Sequence, residues 1–145
     1  MKATELMIGD WVIFDPNVFN EDECKRYHEP YPYQIKTGEC IDDAVNGCYD
    51  PIPLTAEIFE KNEFKEGTYS ILDKGGYKSF PEYKYINREE ITNTSKNLIK
   101  VSYSDKNGGV YDISFGIGSH IFDIKYVHEL QHAMRLCGVK KEIKV

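Results

Sequence analysis

Apolar and polar positions change period several times along this chain, and each change marks an element. "MIGDWVIFDP" (7–16) turns at Gly9-Asp10, runs apolar from Trp11 to Phe14 and stops at Pro16, which predicts a first strand. "NVFNEDECKRYHEPYPY" (17–33) is acidic and then rich in Pro and Tyr, as expected of a long surface excursion. Tyr33 to Cys40 returns as a second strand, and "IDDAVNGCYD" (41–50) holds a third with a turn at Asn46-Gly47. In "PIPLTAEIFEKNEF" (51–64) the pattern becomes helical. Thr55 caps the first-turn amides, Leu54 and Phe59 form a hydrophobic staple, and Asn62 ends the helix in a left-handed conformation.

From 67 to 117 the period is two. "TYSILDKGGYKSF" predicts a hairpin turning near Gly75-Gly76, and "NLIKVSYSDKNGGVYDISFGI" a second turning within Asp105 to Gly109. Ile99, Val101 and Tyr103 share one face of an arm, as do Tyr111, Ile113 and Phe115 of the other. The Ser, Lys and Asp between them make the second face wet. The last element is a helix in "DIKYVHELQHAMRLCGV" (123–139), with Asp123 as N-cap and Phe122 stapled to Val127. Gly138 takes a positive φ, Val139 folds back on Met134, and the tail "KKEIKV" adds a short edge strand.

These elements predict an α+β fold in a single domain, 1–145. A small N-terminal β-lobe of SH3-like size (1–50) leads into the rest (51–145): a helix, antiparallel hairpins and a C-terminal amphipathic helix packed on the sheet. The length of 145 residues with 41% hydrophobic content suffices to bury a core. Eleven tyrosines strengthen the β reading. A net charge of −6 argues against an extended nucleic-acid footprint, which needs clustered Lys and Arg. No apolar run approaches the ~20 residues of a membrane span, and the start has no apolar h-region. The expected location is the cytoplasm, where Cys24, Cys40, Cys48 and Cys137 are reduced thiols.

One string carries candidate chemistry. Residues 128–132 read His128-Glu129-Leu130-Gln131-His132, an H-E-x-x-H. Histidines four apart share a helix face and can bind one zinc together, with Glu129 beside the metal-bound water as general base. A catalytic zinc needs a third ligand. The metzincin extension would place Gly at 135 and His at 138, where this chain has Arg135 and Gly138. Glu142 is the sole acid after His132 and follows the helix stop. A third ligand would have to come from upstream, from Cys40, Cys48 or His120. Val127, Leu130, Met134 and Cys137 form the apolar stripe, so His128 and His132 project opposite it, onto a solvated or partly covered face shared with Arg135.

Cys24, His28, Cys40 and Cys48 match no finger, ribbon or knuckle spacing, which leaves them as free thiols or a local His. No signature marks a nucleophilic cysteine. The Gly-rich "DKGGY" and "DKNGGV" fit no phosphate-binding pattern and read as hairpin turns. Tyr27, Tyr31 and Tyr33 with Pro30 and Pro32 cover a sheet edge or form a contact surface.

"ELMIGDWV" (5–12), "PIPLTAEIFEKNEF" (51–64) and "IKYVHELQHAMRLCGV" (124–139) together resemble a family of small uncharacterised proteins of anaerobic gut bacteria, their phages and other mobile elements. The resemblance implies a cytoplasmic accessory protein of unknown role, with no catalytic residues to carry over; an unknown protein partner is expected and no cofactor, zinc being the alternative. The family pattern has Asn where this chain has His132, and Gly where it has Glu63. The first reading is therefore a non-enzymatic accessory protein, phage- or mobile-element-associated. The alternatives are a zinc-dependent hydrolase using His128, His132 and Glu129, and a nucleic-acid accessory factor.

Overall fold

A computed structural model describes residues 6–19, 29–38, 47–86, 98–105, 109–115 and 119–145. The fold is α+β, built mostly from antiparallel sheet. The first sheet contains β1 (Trp11–Phe14), β2 (Tyr31–Gln34) and β3 (Tyr49–Pro51) in the order β2-β1-β3, with a 3₁₀ turn at Pro16–Phe19. β1 lies where Trp11 to Phe14 predicted it. β2 starts two residues before the expected Tyr33 and ends at Gln34. Ile35 still pairs with the Gly9-Asp10 turn, donating to the Asp10 carbonyl at 2.8 Å and accepting from Gly9 N at 2.7 Å. The excursion at 20–28 and the part of the expected third strand before Gly47 lie outside the described residues.

α1 (Ala56–Lys61) begins at the expected cap, where Thr55 Oγ1 accepts from Ile58 N at 3.4 Å. Leu54 and Phe59 are both buried in the main core. The helix end differs from expectation, because Asn62 has φ −99° and the left-handed residue is Glu63, at φ 66°. The cause is the side chain of Asn62, which is fully buried and committed elsewhere. Its Nδ2 donates to the carbonyls of Ile58 (2.7 Å) and Lys144 (2.8 Å), and its Oδ1 accepts from Lys144 N at 2.8 Å. The chain reverses one residue later. The tail is consequently not an edge strand: it runs irregularly past Asn62 and inserts Val139 and Ile143 into the core.

The second sheet is a meander of β4 (Lys65–Asp73), β5 (Gly76–Ile86), β6 (Leu98–Ser104), β7 (Val110–Phe115) and β8 (Ser119–Ile124), in that order. Asp73 pairs with Gly76, so Lys74-Gly75 forms a two-residue loop at the expected place. Ser104 pairs with Val110 across the second turn. Ile99, Val101 and Ile113 are fully buried, as their alternation required. The other face is not uniformly wet: Glu82 is buried on it, with Lys84 Nζ at 2.9 Å, Lys100 Nζ at 3.7 Å and Ser102 Oγ at 3.3 Å.

β8 replaces the expected helix start. Asp123 is not an N-cap but a ladder residue opposite Asp112, and α2 (Val127–Leu136) starts after Tyr126. At the far end Gly138 has φ 79°, Gly138 N donates to the Arg135 carbonyl at 3.0 Å and Val139 N to the Met134 carbonyl at 2.9 Å. That is the expected Schellman stop. Val127, Leu130, Ala133 and Met134 join Phe59, Ile99, Val101, Ile113 and Ile124 in one buried cluster. A smaller cluster holds Leu6, Val12, Ile35, Cys48 and Tyr49. β1 stands between the two: Val12 and Phe14 belong to the small cluster, while Trp11 and Ile13 pack against the large one. No helix among the described residues is long and apolar enough to cross a membrane.

Glu63 holds a conformation that side chains with a Cβ rarely adopt, and its ion pair with Lys141 is open to solvent at the Glu end. Glu63→Gly should raise stability by about 0.5–1 kcal/mol, read from the urea midpoint. Burial pushes the Glu82 carboxyl up, but Lys84 and Lys100 together with Ser102 outweigh it and hold the pKa below the ordinary glutamate value. A lowered folded pKa adds stability above the unfolded-state value and loses it as pH falls through the folded one. Acid titration of unfolding should therefore show a shallower slope below neutral pH for Glu82→Gln than for the parent chain.

Candidate functional site

Each polar side chain of the H-E-x-x-H string can be followed to its partner. Glu129 lies in the first turn of α2, where the free amides of a helix start need acceptors. Its Oε2 accepts from Lys125 N at 2.6 Å and Tyr126 N at 3.0 Å. A second anchor comes from the "PIPL" segment: Val127 N donates to the Ile52 carbonyl at 2.9 Å, and Leu54 N to the Lys125 carbonyl at 2.9 Å. Glu129 is thus a capping group turned back along the chain, away from the position of a general base beside His132.

The face opposite the apolar stripe is partly covered, with Arg135 exposed at its end. His128 and Gln131 are buried there, and His132 is largely covered. The covering element is the Gly9-Asp10-Trp11 turn that leads into β1. Gln131 grips its backbone from both sides, with Nε2 donating to the Gly9 carbonyl at 2.9 Å and Oε1 accepting from Trp11 N at 3.1 Å. The side-chain amide stands in for a neighbouring strand. Gln34 Nε2 reaches the same Gly9 carbonyl at 3.1 Å.

Asp10 completes the joint. Its side chain is 0% exposed. Oδ2 accepts from Met7 N at 2.7 Å and from His132 Nε2 at 2.8 Å, and Oδ1 accepts from Arg135 Nη1 at 3.2 Å. A carboxylate only accepts, so Nε2 of His132 carries the proton in this pair. Glycine suits position 9 through its backbone, and a Cβ there would also push the end of Arg135 aside. Its φ is +93°, and a Cβ there would lie 2.7 Å from Arg135 Nη2.

His128 stacks on Tyr126 with centroids 5.9 Å apart and planes 7° apart. It meets His132 edge-on, at 5.9 Å and 74°. In this arrangement His132 is bound to the Asp10 carboxylate and the Glu129 carboxylate faces the helix start. Among the described residues no group of three or more His, Cys, Asp or Glu is placed to hold a metal ion. Of the upstream ligands considered, Cys48 is buried in the small cluster. Cys24, His28 and Cys40 lie outside the described residues, as does the side chain of His120. Glu142 is exposed on the tail. Burial pushes the Cys137 thiol up, away from the thiolate form a nucleophile needs.

Tyr31 and Tyr33 fall on β2 and surround Phe14, at 5.6 Å and 5.8 Å, while Tyr33 stacks on Tyr49 at 6.3 Å. They furnish the small lobe with an aromatic surface. Tyr27 lies outside the described residues.

In the sequence Asp10 reads as a turn residue, and Gln131 carries no mark of its own beyond its place in the string. The available signal was the run Gln131, His132, Arg135 on one helix side, which asks for an acceptor, beside an acid in a Gly-Asp turn far along the chain. No protein-family model, curated protein or solved structure matches this chain.

Removing Asp10 strands His132 and Arg135 together. Asp10→Ala should cost about 2–4 kcal/mol, with Asp10→Asn milder because it keeps an acceptor. Urea unfolding gives the size. Hydrogen exchange should show the added opening first at Gly9 to Phe14 and the amide of Trp11.

Proposed function

We propose that this chain is a non-enzymatic accessory protein of the cytoplasm, which binds another protein through the tip of the β4–β5 hairpin. The observation that carries the reading is at that tip. Leu72 is 75% exposed and Tyr77 79% exposed, and the two are direct cross-strand partners. An aromatic and an aliphatic side chain side by side, away from the core, are the usual anchors of a protein contact. The polar groups of the H-E-x-x-H string support the same reading, because Glu129, Gln131 and His132 are occupied in joining parts of this chain. The first three strands are read as an SH3-like lobe. The resemblance to small proteins of gut bacteria and their mobile elements points to a phage- or mobile-element-associated role.

Affinity capture with the parent chain, followed by the Leu72→Asp/Tyr77→Ser double variant, tests this. Both positions are exposed, so stability should change by no more than about 0.5 kcal/mol. The captured partner should be lost. Capture that survives the double change would remove the hairpin tip from the reading. Metal content of the untagged protein tests the other side. One zinc per chain that disappears in His132→Asn would replace this reading with a zinc hydrolase.

A further inference from the structure

β4 is the outermost strand of the second sheet, and among the described residues nothing pairs with its free edge. It is long for an edge, nine residues, and its register against β5 runs without a shift from Lys65↔Lys84 to Asp73↔Gly76. Edge strands are ordinarily protected by proline, a bulge, short length or central charges. β4 has no proline and no bulge, and residues 67–72 carry no charge. Eight of its nine residues are exposed and Tyr69 is half-buried.

The strand's own sequence supplies a complement. Asp73 and Gly76 close a two-residue loop, so Asp73 and every second residue back to Lys65 point their backbone groups at β5. Glu66, Thr68, Ser70 and Leu72 then point N–H and C=O outward. Laid antiparallel against a copy of itself about Tyr69, the strand pairs Thr68 with Ser70 and Glu66 with Leu72. All four outward residues find donors and acceptors. The same alignment sets Lys65 opposite Asp73, once on each side of the axis, and puts Gly67 beside Ile71, where a missing side chain leaves room. The alignment spans the full strand and is symmetric about one residue, as a two-fold interface must be.

We propose that the free edge of β4 pairs antiparallel with β4 of a second copy of this chain, about a two-fold axis at Tyr69, and joins the two sheets into one. The dimer directs its two hairpin tips to opposite ends of the interface. The inference is independent of what those tips bind.

Sedimentation velocity on the full chain, from low micromolar to a few hundred micromolar, should show a concentration-dependent monomer–dimer equilibrium. Ser70→Pro removes an outward N–H that β5 does not use, and proline is tolerated at such edge positions. It should leave the circular dichroism spectrum unchanged and abolish the dimer. Lys65→Asp and Asp73→Lys should each weaken the dimer about tenfold by placing like charges opposite, and the double swap should restore it. Under mild oxidation Tyr69→Cys should cross-link, since residues facing across the axis lie within disulfide reach, and Thr68→Cys should not. A chain monomeric at every concentration overturns the proposal. So does a dimer indifferent to Ser70→Pro, or one in which the double charge swap is no better than the single changes.

Discussion

A carboxylate withdrawn completely from water must find all its partners inside the protein, and the joint between the first strand and the last helix is arranged around that requirement. Asp10 meets it with one backbone amide, one imidazole and one guanidinium. Gly9 turns the chain with a φ of +93°, a conformation that residues with a Cβ rarely adopt. Gln131 holds the backbone on either side of Asp10, so that the acid cannot leave without breaking two further bonds. β1 is thereby fixed between two hydrophobic clusters, with alternate side chains serving each.

The same constraint explains why a string that spells a zinc motif has another use. Helical periodicity places His128 and His132 together but leaves open what faces them. Here the facing element is a β-turn with a buried acid. His132 binds that acid and Glu129 caps its own helix, so these two groups are held by different partners.

Elements whose signals are local were legible. β1 is bounded by Gly9-Asp10 and Pro16, α1 by the Thr55 cap, the hairpins by their glycines and the last helix by Gly138. Each rests on neighbours within a few residues. The missed features depend on distant partners. β8 carries Asp123, which reads as a cap until β7 is beside it. The tail lacks strand pairing because the Asn62 side chain occupies the backbone of Lys144. Glu82 is buried on a face whose alternation reads as wet, because two lysines and a serine close over it. The candidate site was half legible: the histidines and glutamate stood out by spacing, while Asp10, more than a hundred residues away, carried no mark.

The sequence alone determined the α+β class, the apolar stripe of the last helix and the sharing of one face by His128, His132 and Arg135, since periodicity and capping are properties of short segments. Only the tertiary structure decided what that face meets. A polar helix face has the same local pattern whether it touches water, a metal or a buried acid. The choice is made by the chain reversal that brings Gly9-Asp10-Trp11 against it, and by the cost of leaving Asp10 without its partners.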